Sequence, residues 1–163
     1  MIFGASATHA LRALAHLAAG EGAEATLGRD LAEKVQVPSP YLAKVLATLA
    51  RTGVLTATRG VRGGYRLARP ARHIRLLDVV EPFEGKRARP GCLLRPDEPC
   101  RKGAACSAHA AWSDAKASYL RFLETTTLAD IQGIDAHQSK RGRGRSRASR
   151  THRGGSSKTR RRA

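Results

Sequence analysis

A mostly α-helical fold with one small β-hairpin wing, a winged helix-turn-helix followed by a long C-terminal dimerisation helix, is what this 163-residue sequence predicts. Three observations carry it. Between Ser39 and Arg51, Leu42, Val45, Leu46 and Leu49 recur at the i, i+3, i+4, i+7 spacing of an amphipathic helix. Directly after it, Leu55 and Ala57 alternate with Thr56 and Thr58, and Tyr65 and Leu67 with Arg66, as paired strands do; the joining stretch is Arg59-Gly60-Val61-Arg62-Gly63-Gly64. From about Ser107 to Thr125, Trp112, Ala115, Tyr119, Phe122 and Leu123 recur along a second, longer helical stripe.

The elements follow in order. Residues 8–19 put Leu11, Leu14, Ala15 and Ala18 on one face of a first helix, ended by Gly20-Glu21-Gly22. A second helix over Leu27–Lys34 has Leu27 and Leu31 inward and Thr26 as its cap, with Gly28 costing about 1 kcal/mol against alanine. Val35-Gln36-Val37-Pro38 is the turn before the third helix. There Ser39 suits the N-cap, Pro40 the first helical position and Gly53 the C′ stop. After Pro70, the apolar residues Ile74, Leu76, Leu77, Val79, Val80 and Phe83 predict a buried helix ended by Gly85, and Lys86–Ala105 reads as a Pro-, Gly- and charge-rich loop. Thr127–Ile131 forms a short cap-like element. Beyond Gln138 there is no apolar periodicity, so that stretch is expected to be disordered in isolation. The expected divisions are 1–85 for the reading head, 86–109 for the cysteine loop, 110–135 for the dimerisation helix and a short terminal helix, and 136–163 for a basic tail.

Charge narrows the partners. The net charge is +17; eleven Lys or Arg and no acid fall in Lys140–Ala163, leaving +6 for residues 1–139. Both parts are basic, which points to a polyanion. No segment joins a basic face to a broad apolar one, so nucleic acid is favoured over a membrane. His9, Arg12 and His16 interrupt any signal-like apolar run, so the chain is expected in the cytoplasm, with its three cysteines as thiols or metal ligands rather than disulfides.

The candidate DNA-binding residues are Ser39, Pro40, Tyr41, Lys44, Thr48 and Arg51 on the helix, and Thr58, Arg59, Arg62, Gly63 and Gly64 on the wing. The first group offers cations and hydroxyls to phosphates and base edges, and the glycines let backbone approach closely. An ordinary solvated face would carry acids as well, yet from Ser39 to Pro70 there is no Asp or Glu. The plainer alternative is a helix–hairpin unit with a solvated basic turn.

A second constellation is Cys92-x7-Cys100-x5-Cys106-x2-His109. Three thiolates and an imidazole on a Pro- and Gly-rich loop can wrap an iron–sulfur cluster or a zinc ion. Coincidental thiols, and a His109 that merely starts a helix, are the plain alternatives. The aromatic stripe of Trp112, Tyr119 and Phe122 packs either on its own domain or on a second copy, since a small reader usually needs two half-sites.

Tyr41-Leu42-Ala43-Lys44-Val45-Leu46, Arg59-Gly60-Val61-Arg62-Gly63-Gly64-Tyr65, the three-cysteine loop, Trp112 and Thr127-Leu128-Ala129-Asp130 together resemble the Rrf-two family of bacterial regulators (the IscR-, NsrR- and RirA-like group) over roughly residues 5–132. The resemblance implies a homodimeric winged-helix regulator, a repressor before an activator. It implies binding to a double-stranded DNA operator whose affinity follows the state of an iron–sulfur cluster sensing redox state, nitric oxide or iron. By position, Cys92, Cys100 and Cys106 are then the cluster thiolates and His109 completes the set; a 2Fe-2S cluster is favoured and a 4Fe-4S cluster admissible. The x7 spacer is longer than the x5 of the IscR-like branch, and Thr8 stands where some nitric-oxide-sensing members supply an aspartate, with His9 adjacent. The basic tail lies outside the resemblance. The rival readings are a zinc-stapled nucleic-acid-binding module without sensory role and, weakest, a thiol redox enzyme, for which no C-x-x-C, phosphate loop or triad is present. No small-molecule substrate is expected.

Overall fold

The computed structural model describes residues 3–20, 25–60, 63–88, 91–95, 98–99 and 106–131. Arg62, Cys100, much of the cysteine loop and the basic extension beyond Gln138 lie outside the described residues. Helices α1 (Ala5–Ala19), α2 (Gly28–Val35) and α3 (Ser39–Arg51) precede strands β1 (Leu55–Thr58) and β2 (Gly64–Leu67). A 3-10 turn at Ala71–His73, α4 (Leu76–Glu84), a second turn at Gly85–Ala88, α5 (His109–Thr125) and a last turn at Leu128–Ile131 complete the order. Mostly helical with one antiparallel hairpin among the described residues, this is the winged helix-turn-helix class expected from the sequence. Among the described residues no helix is long and apolar enough to cross a membrane.

The core is built around α1. Ala7, Ala10, Ala13, Leu14, Ala15, Leu17 and Ala18 are all buried, far more than one apolar stripe. Helices α2, α3 and α4 and the turn at Leu128–Ile131 all pack on it. The small alanines let these neighbours come close, and α1 begins at Ala5, three residues before the sequence pattern does. Against it lie Leu31, Leu42, Leu46, Leu49, Leu77 and Leu128, all fully buried.

Two of the boundaries that differ from expectation do so because main-chain groups are used elsewhere. Thr26 does not cap α2, whose N-cap residue is Leu27. Instead Thr26 N–H donates to the Tyr65 carbonyl at 2.9 Å and its carbonyl accepts from Tyr65 N–H at 2.8 Å, adding a one-residue third edge to the hairpin. A Cβ on Gly28 would lie 3.2 Å from Tyr65 Cε2, so the residue that weakens α2 makes room for the ring. Likewise α4 starts at Leu76, not Ile74. Ile74 carbonyl accepts from Leu128 N–H, and Leu76 N–H donates to Thr126 carbonyl, both at 2.9 Å. The chain leaving α5 is thereby paired with the entry to α4.

Helix α3 ends as expected: Gly53 (φ 73°) follows Thr52, and Val54 N–H returns to Leu49 carbonyl at 3.0 Å. Its start differs. Ser39 is already helical, Pro38 occupies the N-cap position, and no side chain caps the helix. The turn before it depends on Gln36, which takes the left-handed conformation (φ 57°) at a cost of about 1 kcal/mol for a residue with a Cβ.

A polar bracket joins the end of α3 to α4. The Arg69 guanidinium donates to Gly53 carbonyl at 3.1 Å, to His73 carbonyl at 2.9 Å and to Asp78 Oδ2 at 2.9 Å. Asp78 also accepts from the Arg75 main-chain N–H at 3.2 Å and side chain at 3.1 Å. Burial alone would raise the Asp78 pKa. Hydrogen bonds from the Arg75 side chain and main chain, the Arg75 charge and the Arg69 bond outweigh that and hold it below the ordinary aspartate value. The bracket's stability is therefore complete above the ordinary aspartate range and is lost as pH falls through the lowered value. Asp78→Asn is expected to cost about 2 kcal/mol at pH 7. The variant's remaining stability should fall less steeply than wild type on acidification below about pH 4, as measured by denaturant melts across that range.

Candidate nucleic-acid interface and cysteine segment

On α3, Ser39, Pro40, Lys44 and Arg51 are exposed and Thr48 is half-buried. Thr48 Oγ1 donates to Lys44 carbonyl at 3.2 Å and accepts from Arg51 Nη2 at 3.2 Å, so the hydroxyl steadies the arginine. Between them stand two residues the sequence reading passed over, Ala43 and Ala47, both exposed. Their methyls let the helix backbone approach a groove floor and can contact thymine methyls. Their signal was available: they share the helical face of Pro40, Lys44 and Arg51.

Tyr41 is placed differently from the others. It is half-buried, with its hydroxyl 3.0 Å from Ser6 Oγ and 3.4 Å from His9 Nδ1, and its ring stands edge-on to His9 at 5.5 Å between centroids.

The hairpin register pairs Leu55 with Leu67 and Ala57 with Tyr65, leaving Thr56, Thr58 and Arg66 on the opposite face. Arg66 is exposed there, a cation that strand alternation alone could have assigned to the wing. Thr58, Arg59 and Gly60 are exposed at the approach to the tip, while Gly63 is buried. Gly63 N–H closes on Gly60 carbonyl at 2.9 Å. A Cβ at Gly63 would run into the Thr58 carbonyl oxygen, and one at Gly64 would lie 2.6 Å from the Thr26 carbonyl oxygen. Both glycines are thus demanded by backbone packing.

In the cysteine segment, Cys92 is half-buried and Cys106 exposed. Cys92 N–H donates to Glu98 carbonyl at 2.7 Å, and Glu98 N–H to Arg95 carbonyl at 3.0 Å. The longer spacer is thus pinched at its base, two residues before Cys100, with Leu93 and Leu94 exposed on the excursion (47% and 73%). At the other end, His109 N–H donates to Cys106 carbonyl at 2.9 Å, and Trp112 Nε1, one turn along α5, donates to Gly91 carbonyl at 2.9 Å. His109 Nδ1 is buried with no hydrogen-bond partner. Among the described residues no three of His, Cys, Asp and Glu form a ready metal site.

The stripe on α5 is mostly uncovered: Leu123 is its one buried residue among those described, Trp112 and Tyr119 are half-buried, and Phe122 is 48% exposed. Tyr119 lies 6.5 Å from Phe3 between ring centroids, and burial together with the nearby Glu84 charge raises its pKa.

Comparison with known proteins gives concordant matches. The Rrf2 profile, described as iron-dependent transcriptional regulator, matches residues 4–133. The chain is similar to an HTH-type transcriptional regulator of Aquifex aeolicus, 34% identical over 144 residues, covering 83% of this chain and 94% of that one. It is also similar to protein rrf2 of Nitratidesulfovibrio vulgaris, 35% identical over 104 residues, covering 63% and 68%. Among solved structures, CymR, the global cysteine regulator of B. subtilis, superposes with a TM-score of 0.69 at 21% identity over 79% of this chain and 94% of that one. T. potens IscR superposes with a TM-score of 0.64 at 26% identity over 84% and 89%.

Gly63→Ala should spread the hairpin tip. In hydrogen exchange, the Thr26 and Tyr65 amides are expected to lose protection while the helical circular-dichroism signal stays at the wild-type level. Unchanged protection of those two amides would count against the packing argument.

Proposed function

The chain belongs to the Rrf2 family of transcriptional regulators, and we propose that it is a homodimeric repressor whose operator affinity is set by an iron–sulfur cluster on Cys92, Cys100, Cys106 and His109. Like the regulators it resembles, it is no enzyme.

Double-stranded DNA as partner follows from the chemistry of α3 and the wing. Lys44, Arg51, Arg59 and Arg66 supply phosphate contacts; Ser39, Thr48 and Thr58 supply hydroxyls for phosphates and base edges; Ala43 and Ala47 leave room for approach. Arg62 adds a further charge in the same stretch of sequence. One such head spans one half-site, so two copies are needed for a two-fold operator. The half-uncovered aromatic stripe of α5 supplies apolar surface for the second copy.

The observation that carries the sensing reading is the orphaned Nδ1 of His109. A buried ring nitrogen without a partner costs about 1–3 kcal/mol unless something binds it. It stands three residues after Cys106, at the end of α5 to which Trp112 ties Gly91 and hence Cys92. The pinch between Cys92 and Glu98 brings the chain back toward Cys92 two residues before Cys100, which offsets the longer spacer. The donor set, three soft thiolates and one imidazole, fits iron–sulfur chemistry, with a 2Fe-2S cluster favoured. Bound there, the cluster would supply one-electron redox chemistry and a target for oxidants or nitric oxide. The protein's part is to hold it on a segment that leads directly into α5.

Anaerobically purified protein is expected to be brown, with iron and acid-labile sulfide in equal amounts, and Cys100→Ser should abolish the visible absorbance. One zinc per chain, no sulfide and DNA binding indifferent to redox state would establish the zinc-stapled module instead.

The eleven Lys and Arg of residues 140–163 add sequence-independent phosphate contacts in this reading. Deleting residues after Gln138 should reduce the salt slope of DNA binding by about 0.9 for each phosphate that the tail had neutralised, with site preference retained. An unchanged slope would mean that the tail does not touch the duplex.

A further inference from the structure

We propose that Tyr41 is a positioning residue for sequence-specific DNA binding. Its hydroxyl, shared between Ser6 and His9 of α1, fixes the angle at which the first turn of α3 meets the duplex, and it is not itself a phosphate contact. The proposal rests on the DNA-binding reading above and deepens it.

In helix-turn-helix proteins the N-terminal residues of the recognition helix reach the base edges, so the pose of the first turn decides which edges are met. In this chain that turn has no side-chain cap. The N-cap position is Pro38, and Pro40 stands in the first turn. Its orientation must come from tertiary contacts.

Tyr41 supplies them. Its ring packs against the core and edge-on to His9, and its hydroxyl lies 3.0 Å from Ser6 Oγ and 3.4 Å from His9 Nδ1. The hydroxyl can donate one hydrogen bond and accept others, and Ser6 Oγ and His9 Nδ1 hold it on the α1 side of the turn. Lys44 and Arg51, by contrast, face solvent.

The N-terminal end of α1 is itself pinned from the opposite side. Gly4 N–H donates to Glu84 Oε1 at 2.7 Å, and Phe3 stacks obliquely on Tyr119 of α5. Residues 3–9 therefore stand between α4 and α5 on one side and the start of α3 on the other. The Tyr41 hydroxyl is the joint through which that support reaches the reading helix.

The test uses the full chain. A preferred duplex is selected from a random-sequence pool with wild-type protein, and affinities for it and for a random duplex are measured across a salt series. Tyr41→Phe keeps the ring and removes the hydroxyl. It is expected to lower the preference for the selected duplex about fivefold, the scale of one net hydrogen bond, with the salt slope unchanged. Ser6→Ala should lower the preference in the same direction and add nothing in the Tyr41→Phe background. Unchanged preference in Tyr41→Phe, a salt slope reduced by about 0.9 with preference intact, or additive effects of the two substitutions would each overturn the proposal. Failure of wild-type protein to select any duplex is a separate result, and it would overturn the DNA-binding reading on which the proposal stands.

Discussion

Helices α2, α3 and α4, the wing strand β2 and the last turn all rest on one helix whose buried surface is made mainly of methyl groups. Ala7, Ala10, Ala13, Ala15 and Ala18 bring α2, α3, α4 and the last turn against α1 from several directions. A helix ringed by larger side chains would hold those neighbours further off, and in a close-packed interior an added methylene group or two typically costs about 1–3 kcal/mol. This explains how a chain with 4% aromatic residues closes a core. Short side chains keep the backbones near one another, and the leucines of α2, α3 and α4 fill what remains. It also means that α1 transmits position. Whatever shifts it also bears on α3, which Tyr41 ties to it.

The parts of the fold legible in the sequence are those specified by local rules. The stripe of Leu42, Val45, Leu46 and Leu49, the stop at Gly53 and the alternation across Leu55–Leu67 depend on neighbours within a turn or a hairpin, and the structure forms each of them. What the sequence hid is non-local. The pairing of Thr26 with Tyr65 involves two residues 39 positions apart and leaves no periodic trace. The same holds for Ile74 and Leu76, whose main chain serves the segment after α5, and for Arg69, one of many arginines until Gly53, His73 and Asp78 surround it. Gly28 looked like a defect in α2 for the same reason, because the ring it accommodates is far away in sequence. At the candidate site, Lys44, Arg51 and Arg59 were legible as exposed cations, whereas the inward turn of Tyr41 was not, since Ser6 and His9 lie more than thirty residues upstream.

Glycine and charge divide the work at the wing. Gly63 and Gly64 are required by main-chain oxygens close behind them, of Thr58 and Thr26, so their role is to let the hairpin return sharply and dock. The cations Arg59 and Arg66 then project from a frame that backbone hydrogen bonds hold. With no acid from Ser39 to Pro70, nothing within that stretch neutralises them, and salt screens the attraction they exert on a polyanion.

Helix α5 is fastened mainly near its C-terminal end, where Leu123 is buried and the strand-like pairing of Thr126 and Leu128 begins. From there to His109 it runs seventeen residues, about 25 Å of rigid rod. A rod held at one end is a lever: a tilt of about 5° at the fastening carries the free end about 2 Å, on the order of a ligand bond length. In reverse, a displacement of about 2 Å at the His109 end corresponds to a rotation of about 5° beside the entry to α4, so the helix converts translation at one end into turning at the other.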